Sequence, residues 1–409
     1  MRVLWLSANS ALFRDDHVNG GWIASLQTEI MKQKDITLGI AFPVDTPTKG
    51  IRKDGVSYYP VLFQSTKIKI LRIIDMRMAD SEILKGYINA IKDFAPDIIH
   101  VWGSEFEFGL VSKYTDIPII LHIQGLMNPI YNLRYPNNVT LFRIMLSSVP
   151  LLLKYYIFRD KMKHYAKREL QILRNIRYVY GRTEWDRNAT LAINPQRKYF
   201  YCSELLRSSF WNSRKWTFRE NAQKIVITSV INGALYKGGD VILRTAEILS
   251  DLKITFVWNV IGIKDLIVHE KLTGVKCKDV NINIMGRCQA DKVVDTLLDS
   301  DVFVHTSYIE NSPNCVCEAQ LLGIPVIASC VGGTPTLIKD GVTGFLVGTN
   351  DAYNIAGLIL RLKENKDICN TISKNEINVA EERHKITNIV SDLLDGYKYV
   401  LDSDKVCRQ

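Results

Sequence analysis

Two glutamates with seven residues between them are the feature of this chain best suited to chemistry. They stand in Ser307-Tyr308-Ile309-Glu310-Asn311-Ser312-Pro313-Asn314-Cys315-Val316-Cys317-Glu318-Ala319. The apolar run Val302–His305 ahead of them predicts a strand, and a helix is expected to open at about Asn314. The first N–H groups of a helix lack internal partners, so such a start is a natural seat for phosphate oxygens. Glu310 falls in the loop, and Glu318 about one turn inside the helix. A carboxylate accepts hydrogen bonds from neighbouring hydroxyls, so phosphate on the amides with ribose and hexose on the carboxylates outlines a nucleotide sugar. Taken alone, the segment fits a solvated glutamate pair around a helix start equally well.

Other residues join this one. Tyr236-Lys237-Gly238-Gly239-Asp240 follows an apolar run at 225–230 and sets a lysine beside glycines at a helix start. That pattern suits a pyrophosphate clamp, although an ordinary surface lysine is an equal reading. Met285-Gly286-Arg287 offers a second cation near a strand end. Near the N-terminus, Gly20 and Gly21 in Asn19-Gly20-Gly21-Trp22 separate a strand from a helix, either as a simple turn or as a loop beside phosphates. The segment is not a GxGxxG fingerprint, which counts against a nicotinamide enzyme. His100, His122 and Gln124 sit at strand ends, where core packing competes with contacts to a sugar or an acceptor.

The elements that must position these residues alternate between strand and helix. Strands are predicted at 3–8, 37–42, 56–63, 97–102, 117–124 and 178–181, then at 225–230, 254–261, 282–285, 302–305 and 325–329. Helices are predicted at 81–94, 240–250, 291–300, 315–322, 352–363 and 387–401, and Thr183 and Glu184 could cap another. This is α/β organisation in two doubly wound domains, with the boundary near 203–220. The sites should lie at the carboxyl ends of the strands, in a cleft that the two domains face. Composition agrees: 47% apolar and 23% charged residues describe a globular chain of 409 residues. With 52 basic against 43 acidic side chains, the charge of +9 hints at an anionic partner. No run of about 18 apolar residues is present, and a signal-peptide core is missing at the start, so a cytoplasmic protein is expected. The eight cysteines lack zinc-site spacing and read as reduced core residues.

The block 281–347, with Gly323-Ile324-Pro325, Val331-Gly332-Gly333-Thr334-Pro335 and Asp340-Gly341-Val342-Thr343-Gly344, resembles the retaining GT-B glycosyltransferases of group 1, often called family 4. The resemblance implies that Glu310 contacts donor-sugar hydroxyls and that Glu318 holds the ribose. It implies that the main chain of Asn311, Ser312, Pro313, Asn314 and Cys315 approaches sugar and phosphates, and that Lys237 binds the diphosphate. Arg287 would assist, in place of an arginine that relatives carry where this chain has Ile231-Asn232-Gly233. Gly20 and Gly21 would lie beside the donor phosphates. Relatives often have a histidine just before a glycine near the donor sugar; here Gln124 holds that position, with His122 two residues earlier.

The expected protein is thus a metal-independent, retaining hexosyltransferase with no cofactor beyond its nucleotide-sugar substrate. Residues 1–205, joined by a C-terminal helix at 387–409, would form the acceptor side, and 206–386 the nucleotide-sugar side. The acceptor would be a glycan or lipid-linked glycan in polysaccharide or glycolipid assembly. The basic, apolar segment 143–168 could meet an anionic membrane surface on its inner face, or pack as a core helix with a solvated basic side, and 128–138 reads as an acceptor-side loop. A sugar-nucleotide epimerase of the same architecture and a non-catalytic membrane partner are the alternatives, and nucleic-acid binding is not expected.

Overall fold

The computed structural model describes residues 1–13, 21–134 and 149–408. The chain divides into two compact units: Met1–Asn128, Lys161–Leu205 and His384–Gln409 form one, and Pro129–Asp160 with Leu206–Arg383 the other. The stretch 1–205 is therefore interrupted, with Pro129–Asp160 grouped with the second unit.

The first unit is built on eight strands: β1 Arg2–Leu6, β2 Thr37–Val44, β3 Ile51–Lys53, β4 Val56–Leu62, β5 Ile98–Trp102, β6 Ile119–His122, β7 Tyr178–Gly181 and β8 Lys198–Tyr201, in the order β3-β4-β2-β1-β5-β6-β7-β8. Every pairing is parallel except β3 with β4. Both faces are covered, which is why β5 and β6 are buried along their whole length and read as unbroken apolar runs. On one face Val3 and Trp5 join the helix Gly21–Ile30 and the C-terminal helix Ile386–Arg408; on the other Leu4 and Leu6 meet the helix Met76–Phe94. The predicted helix at 81–94 starts earlier because Asp75 caps it, its carboxylate accepting from the Arg77 amide at 2.8 Å. Thr183 caps the helix Glu184–Ile193 in a reciprocal box with Asp186.

The segment predicted as a basic apolar stretch is largely the helix Val149–Asn175; residues 143–148 lie outside the described ones. Met162, Ala166, Ile172 and Leu173 turn inward, Lys161, Lys163 and Lys167 outward, and Arg168 is buried against Asp80 at 2.9 Å. Of the stretch expected as a loop at 128–138, Met127–Asn132 is helical and 135–138 lie outside the described residues.

The second unit carries six parallel strands, β9 Ile225–Val230, β10 Phe256–Ile261, β11 Ile282–Gly286, β12 Val302–His305, β13 Val326–Ser329 and β14 Phe345–Val347, in the order β11-β10-β9-β12-β13-β14. Winding runs one way from β9 through β10 to β11 and the other way from β12 to β14, so the order reverses between β9 and β12. In the first sheet the reversal falls between β1 and β5. Ligands of such sheets bind outside the carboxyl ends of the strands at these reversals. Among the described residues no helix is long and apolar enough to cross a membrane. Among the described residues seven cysteines are free, of which Cys202, Cys317 and Cys369 are buried.

Buried hydroxyls tie the C-terminal helix to the first sheet: Tyr180 of β7 donates to the Leu393 carbonyl at 2.6 Å, and Tyr397 answers from the helix. Tyr397 accepts from the Trp5 indole at 3.1 Å and lies 2.6 Å from His100 Nδ1, all three being buried. Tyr397→Phe strands two buried polar groups and should cost about 1–3 kcal/mol in urea unfolding. Tyr399→Phe, on a side chain 44% exposed, should change stability by less than about 0.5 kcal/mol.

Candidate active site

The reversal between β9 and β12 brings two loops together. The hydroxyl of Thr306, just past β12, donates to the carbonyls of Lys237 and Gly238 at 3.1 and 3.0 Å. The Tyr308 amide donates to the Tyr236 carbonyl at 2.7 Å, and the Tyr308 hydroxyl to Asp240 at 2.7 Å. Gly238 sits at φ +75°, and a Cβ there would stand 2.0 Å from the Thr306 carbonyl oxygen. Only glycine allows this approach.

The side chains that this knot presents are Lys237 and Glu310. Lys237 Nζ is ion-paired with Glu310 Oε1, the Ser307 hydroxyl donates to the same oxygen at 2.9 Å, and His305 Nε2 lies 3.4 Å away. The Glu310 carbonyl is fixed from behind by the Gly333 amide at 3.0 Å, and a Cβ on Gly332 (φ +50°) would come within 1.9 Å of it. Burial pushes the Glu310 carboxyl up, but Lys237 and then His305 overcome this and hold it at about 2. Burial likewise works against the Lys237 ammonium, and Glu310 reverses it, leaving its pKa raised. The pair is ionised throughout the physiological range. These contacts converge on Oε1, so Oε2 can accept from a ligand hydroxyl while the ammonium addresses an anion.

Beside the pair, the helix Asn314–Leu322 opens at Pro313 without a side-chain cap, so its first amides remain available to an anion. Asn311 and Ser312 are buried under this turn. Burial, then the Glu310 charge, pushes the Cys315 thiol up to about 12, which excludes a thiolate there. Glu318 is not turned to solvent: Arg207 holds it bidentately at 2.7 and 2.8 Å. No spacing links these partners, because their contact spans 111 residues and exists only in the fold. Arg287 follows β11 at the sheet edge, two strands from β9, and is exposed; among the described residues it forms no ion pair with Glu310. Gly286 has φ +70° with open space where a Cβ would be.

In the first unit, Gly20 lies outside the described residues, and Gly21 opens the helix Gly21–Ile30 at φ +50°. His100 and His122 do not reach the surface. His100 stacks on Trp102 with centroids 3.7 Å apart, and His122 lies 4.8 Å from Trp102 and 5.6 Å from Trp22. Burial drives both imidazoles to low pKa, helped at His122 by His100 and Arg182, so both are neutral. Gln124 is partly exposed past β6, and its carbonyl accepts from Arg182 at 3.2 Å.

One residue at this sheet's reversal was not anticipated. Glu105, in the loop after β5, has a buried Oε2 without a hydrogen-bond partner. Burial, with Glu169 adding to it, pushes its carboxyl up to about 7 against the pull of its own amide, the Gly125 amide and Arg182. Neighbouring Glu169 is saturated, accepting from Ser104, from the Met127 and Asn128 amides and from the Asn128 side chain at 2.6–2.8 Å.

Residues 212–379 match the family described as glycosyl transferases group 1. A D-inositol 3-phosphate glycosyltransferase of Mycolicibacterium vanbaalenii is 30% identical over 135 residues, 30% of each chain. An Escherichia coli UDP-Gal:alpha-D-GlcNAc-diphosphoundecaprenol alpha-1,3-galactosyltransferase is 29% identical over 180 residues, 44% of this chain and 41% of that one. The chain thus matches well under half the length of these relatives. In fold the likeness runs end to end: sucrose-phosphate synthase from Thermosynechococcus elongatus superposes with a TM-score of 0.75 at 14% identity, covering 98% of this chain and 99% of the other. Anabaena HepE in complex with UDP-glucose gives 0.65 at 14% identity, over 98% and 100%. The fold is the GT-B fold of two Rossmann-like units.

Two measurements test these electrostatics. Lys237→Met leaves a half-buried carboxylate unpaired and should cost about 3 kcal/mol at pH 7, while Lys237→Met with Glu310→Gln should recover most of it; simple additivity in urea unfolding would refute the coupling. For Glu105, a folded pKa near 7 above the ordinary 4.5 means that stability is lost as pH rises through that window. Glu105→Gln should therefore match wild type at about pH 4 and exceed it by on the order of 1–3 kcal/mol at pH 8.

Proposed function

We propose that this protein transfers a sugar, with retention, from a nucleotide-diphosphate sugar to an acceptor hydroxyl in polysaccharide or glycolipid assembly. The observation that carries this reading is the Lys237–Glu310 pair at the reversal between β9 and β12, beside the uncapped helix start at Asn314. When the bond from the anomeric carbon to the diphosphate breaks, negative charge grows on the departing oxygen. Lys237 and the amides of Asn314 and Cys315 supply fixed positive charge to it, so the reaction as proposed is metal-independent. As Lys237 turns toward the phosphates it loosens from Glu310, whose carboxylate then takes donor-sugar hydroxyls. Glu318, oriented by Arg207, would take the ribose. No side chain is assigned as nucleophile.

HepE, which shares the fold, is solved with UDP-glucose, and this supports a nucleotide-sugar donor. The E. coli relative acts on a diphosphoundecaprenol-linked sugar, and an Erwinia amylovora relative, 29% identical over 150 residues, is an amylovoran biosynthesis glycosyltransferase. Both support a glycan or lipid-linked glycan acceptor.

A thermal-shift series with UDP, GDP, ADP and TDP tests the donor site. At about a hundred times its dissociation constant the right nucleotide adds about 2.7 kcal/mol, a rise of several degrees. Lys237→Ala should abolish that shift. Glu310→Ala should keep nucleotide binding but lose about two to three orders of magnitude in transfer to an added acceptor; wild-type transfer by this variant would sink the assignment, and isomerised nucleotide sugar without acceptor would indicate an epimerase.

A further inference from the structure

The short helix Thr66–Ile74 in the first unit carries apolar side chains on its outer face. Ile73 is 86% exposed, Ile74 68% and Ile70 52%, and Met78, at the start of the next helix, 49%. Scattered exposed apolar residues are ordinary, but neighbouring ones on a single helical face are not. With 3.6 residues per turn, Ile70, Ile73 and Ile74 fall within about 100° of arc, with Lys67 and Lys69 bounding it on either side. Ile68, the buried residue of the helix, points the opposite way.

Nine residues make a marginal helix by themselves, yet this one is fastened at several points. Ser65 caps it, accepting from the Ile68 amide at 3.1 Å, and Lys67 pairs with Glu82 at 2.7 Å. Arg72 donates to the Phe63 carbonyl at 2.9 Å and lies 4.1 Å over the Phe63 ring. The Asp75 amide closes the last turn on Leu71 at 2.8 Å. The isoleucines are therefore held outward by a fixed helix.

Charge decides what covers them. The helix has Lys67, Lys69 and Arg72 and no acidic residue, and with Arg77 and Lys85 of the next helix set against Asp75, Asp80 and Glu82, cations outnumber carboxylates five to three over residues 65–85. A second copy laid on this face would set lysine against lysine. A surface of anionic headgroups over an apolar interior complements both features. We propose that the helix Thr66–Ile74 docks on an anionic lipid bilayer, laying Ile70, Ile73 and Ile74 below the headgroups with Lys67 and Lys69 at the phosphates. Docking does not depend on the transferase reading, since no sugar substrate takes part.

Sedimentation of the full chain with vesicles of phosphatidylcholine, with and without phosphatidylglycerol, tests it. Wild type should bind the mixed vesicles at least about tenfold more tightly than the neutral ones, and added salt should weaken the binding. Ile73→Asp with Ile74→Asp should lower binding by about tenfold or more with an unchanged melting temperature, because both side chains already face water. Lys67→Gln with Lys69→Gln should flatten the salt dependence. The proposal is overturned if wild type ignores both vesicles, if the double aspartate variant binds as wild type does, or if wild type instead forms a dimer that this variant abolishes. Because the nucleotide thermal shift is read separately, failure of either reading is distinguishable from failure of the other.

Discussion

A half-buried lysine and glutamate facing each other across two loops set the constraint that the second unit obeys. Neither charge is tolerable there without the other, and neither loop could present its charge alone. The backbone answers with glycine at 238 and 332, where a side chain would collide with the neighbouring loop, and with Thr306 bridging both carbonyls of the Lys237 turn. Ser307 and His305 then polarise the same carboxylate oxygen. A site held this way needs little rearrangement when an anion replaces the carboxylate as the partner of the ammonium, which is the physical content of preorganisation.

The same constraint explains why the two sheets differ at their reversals. The second places formal charge there, one of each sign. The first places rings: Trp22, Trp102, His100 and His122 pack edge-on and face-on, with both imidazoles kept neutral by burial. Titratable character in that wall is left to Glu105, whose neighbour Glu169 takes up the nearby amides. A phosphate-bearing ligand suits the charged end of the second sheet and a neutral hydroxyl-rich one the ring-lined end of the first, a division that follows from solvation alone.

Much of this was legible in the chain because parallel strands covered on both faces leave a continuous apolar signature, and β5, β7, β9 and β12 stand out for that reason. The strands that escaped notice are those without it. β3 is three residues at an antiparallel edge, β8 is a half-exposed Lys-Tyr-Phe-Tyr edge, and β14 has only three residues. Lys237 and Glu310 were visible because each sits in a local pattern, a lysine among glycines and a glutamate ahead of a helix start. Arg207 and Glu105 were not, because an ion pair spanning 111 residues and a carboxylate deprived of donors are properties of the folded surroundings. His100 and His122 show the converse, since strand ends that promise access can be sealed by aromatic neighbours.

The Arg207–Glu318 pair bears on how the site fills. A bidentate guanidinium fixes the carboxylate in one orientation. Arg207 keeps its charge at any physiological pH, so Glu318 cannot be released by protonating or deprotonating its partner. A ligand hydroxyl must therefore either share the carboxylate or displace a guanidinium that is itself 32% exposed and readily rehydrated. Glu310 is paired instead with the ammonium of Lys237, on one carboxylate oxygen. In the proposed reaction, a ligand's phosphates would draw Lys237 off Glu310, whereas Arg207 would keep its hold on Glu318.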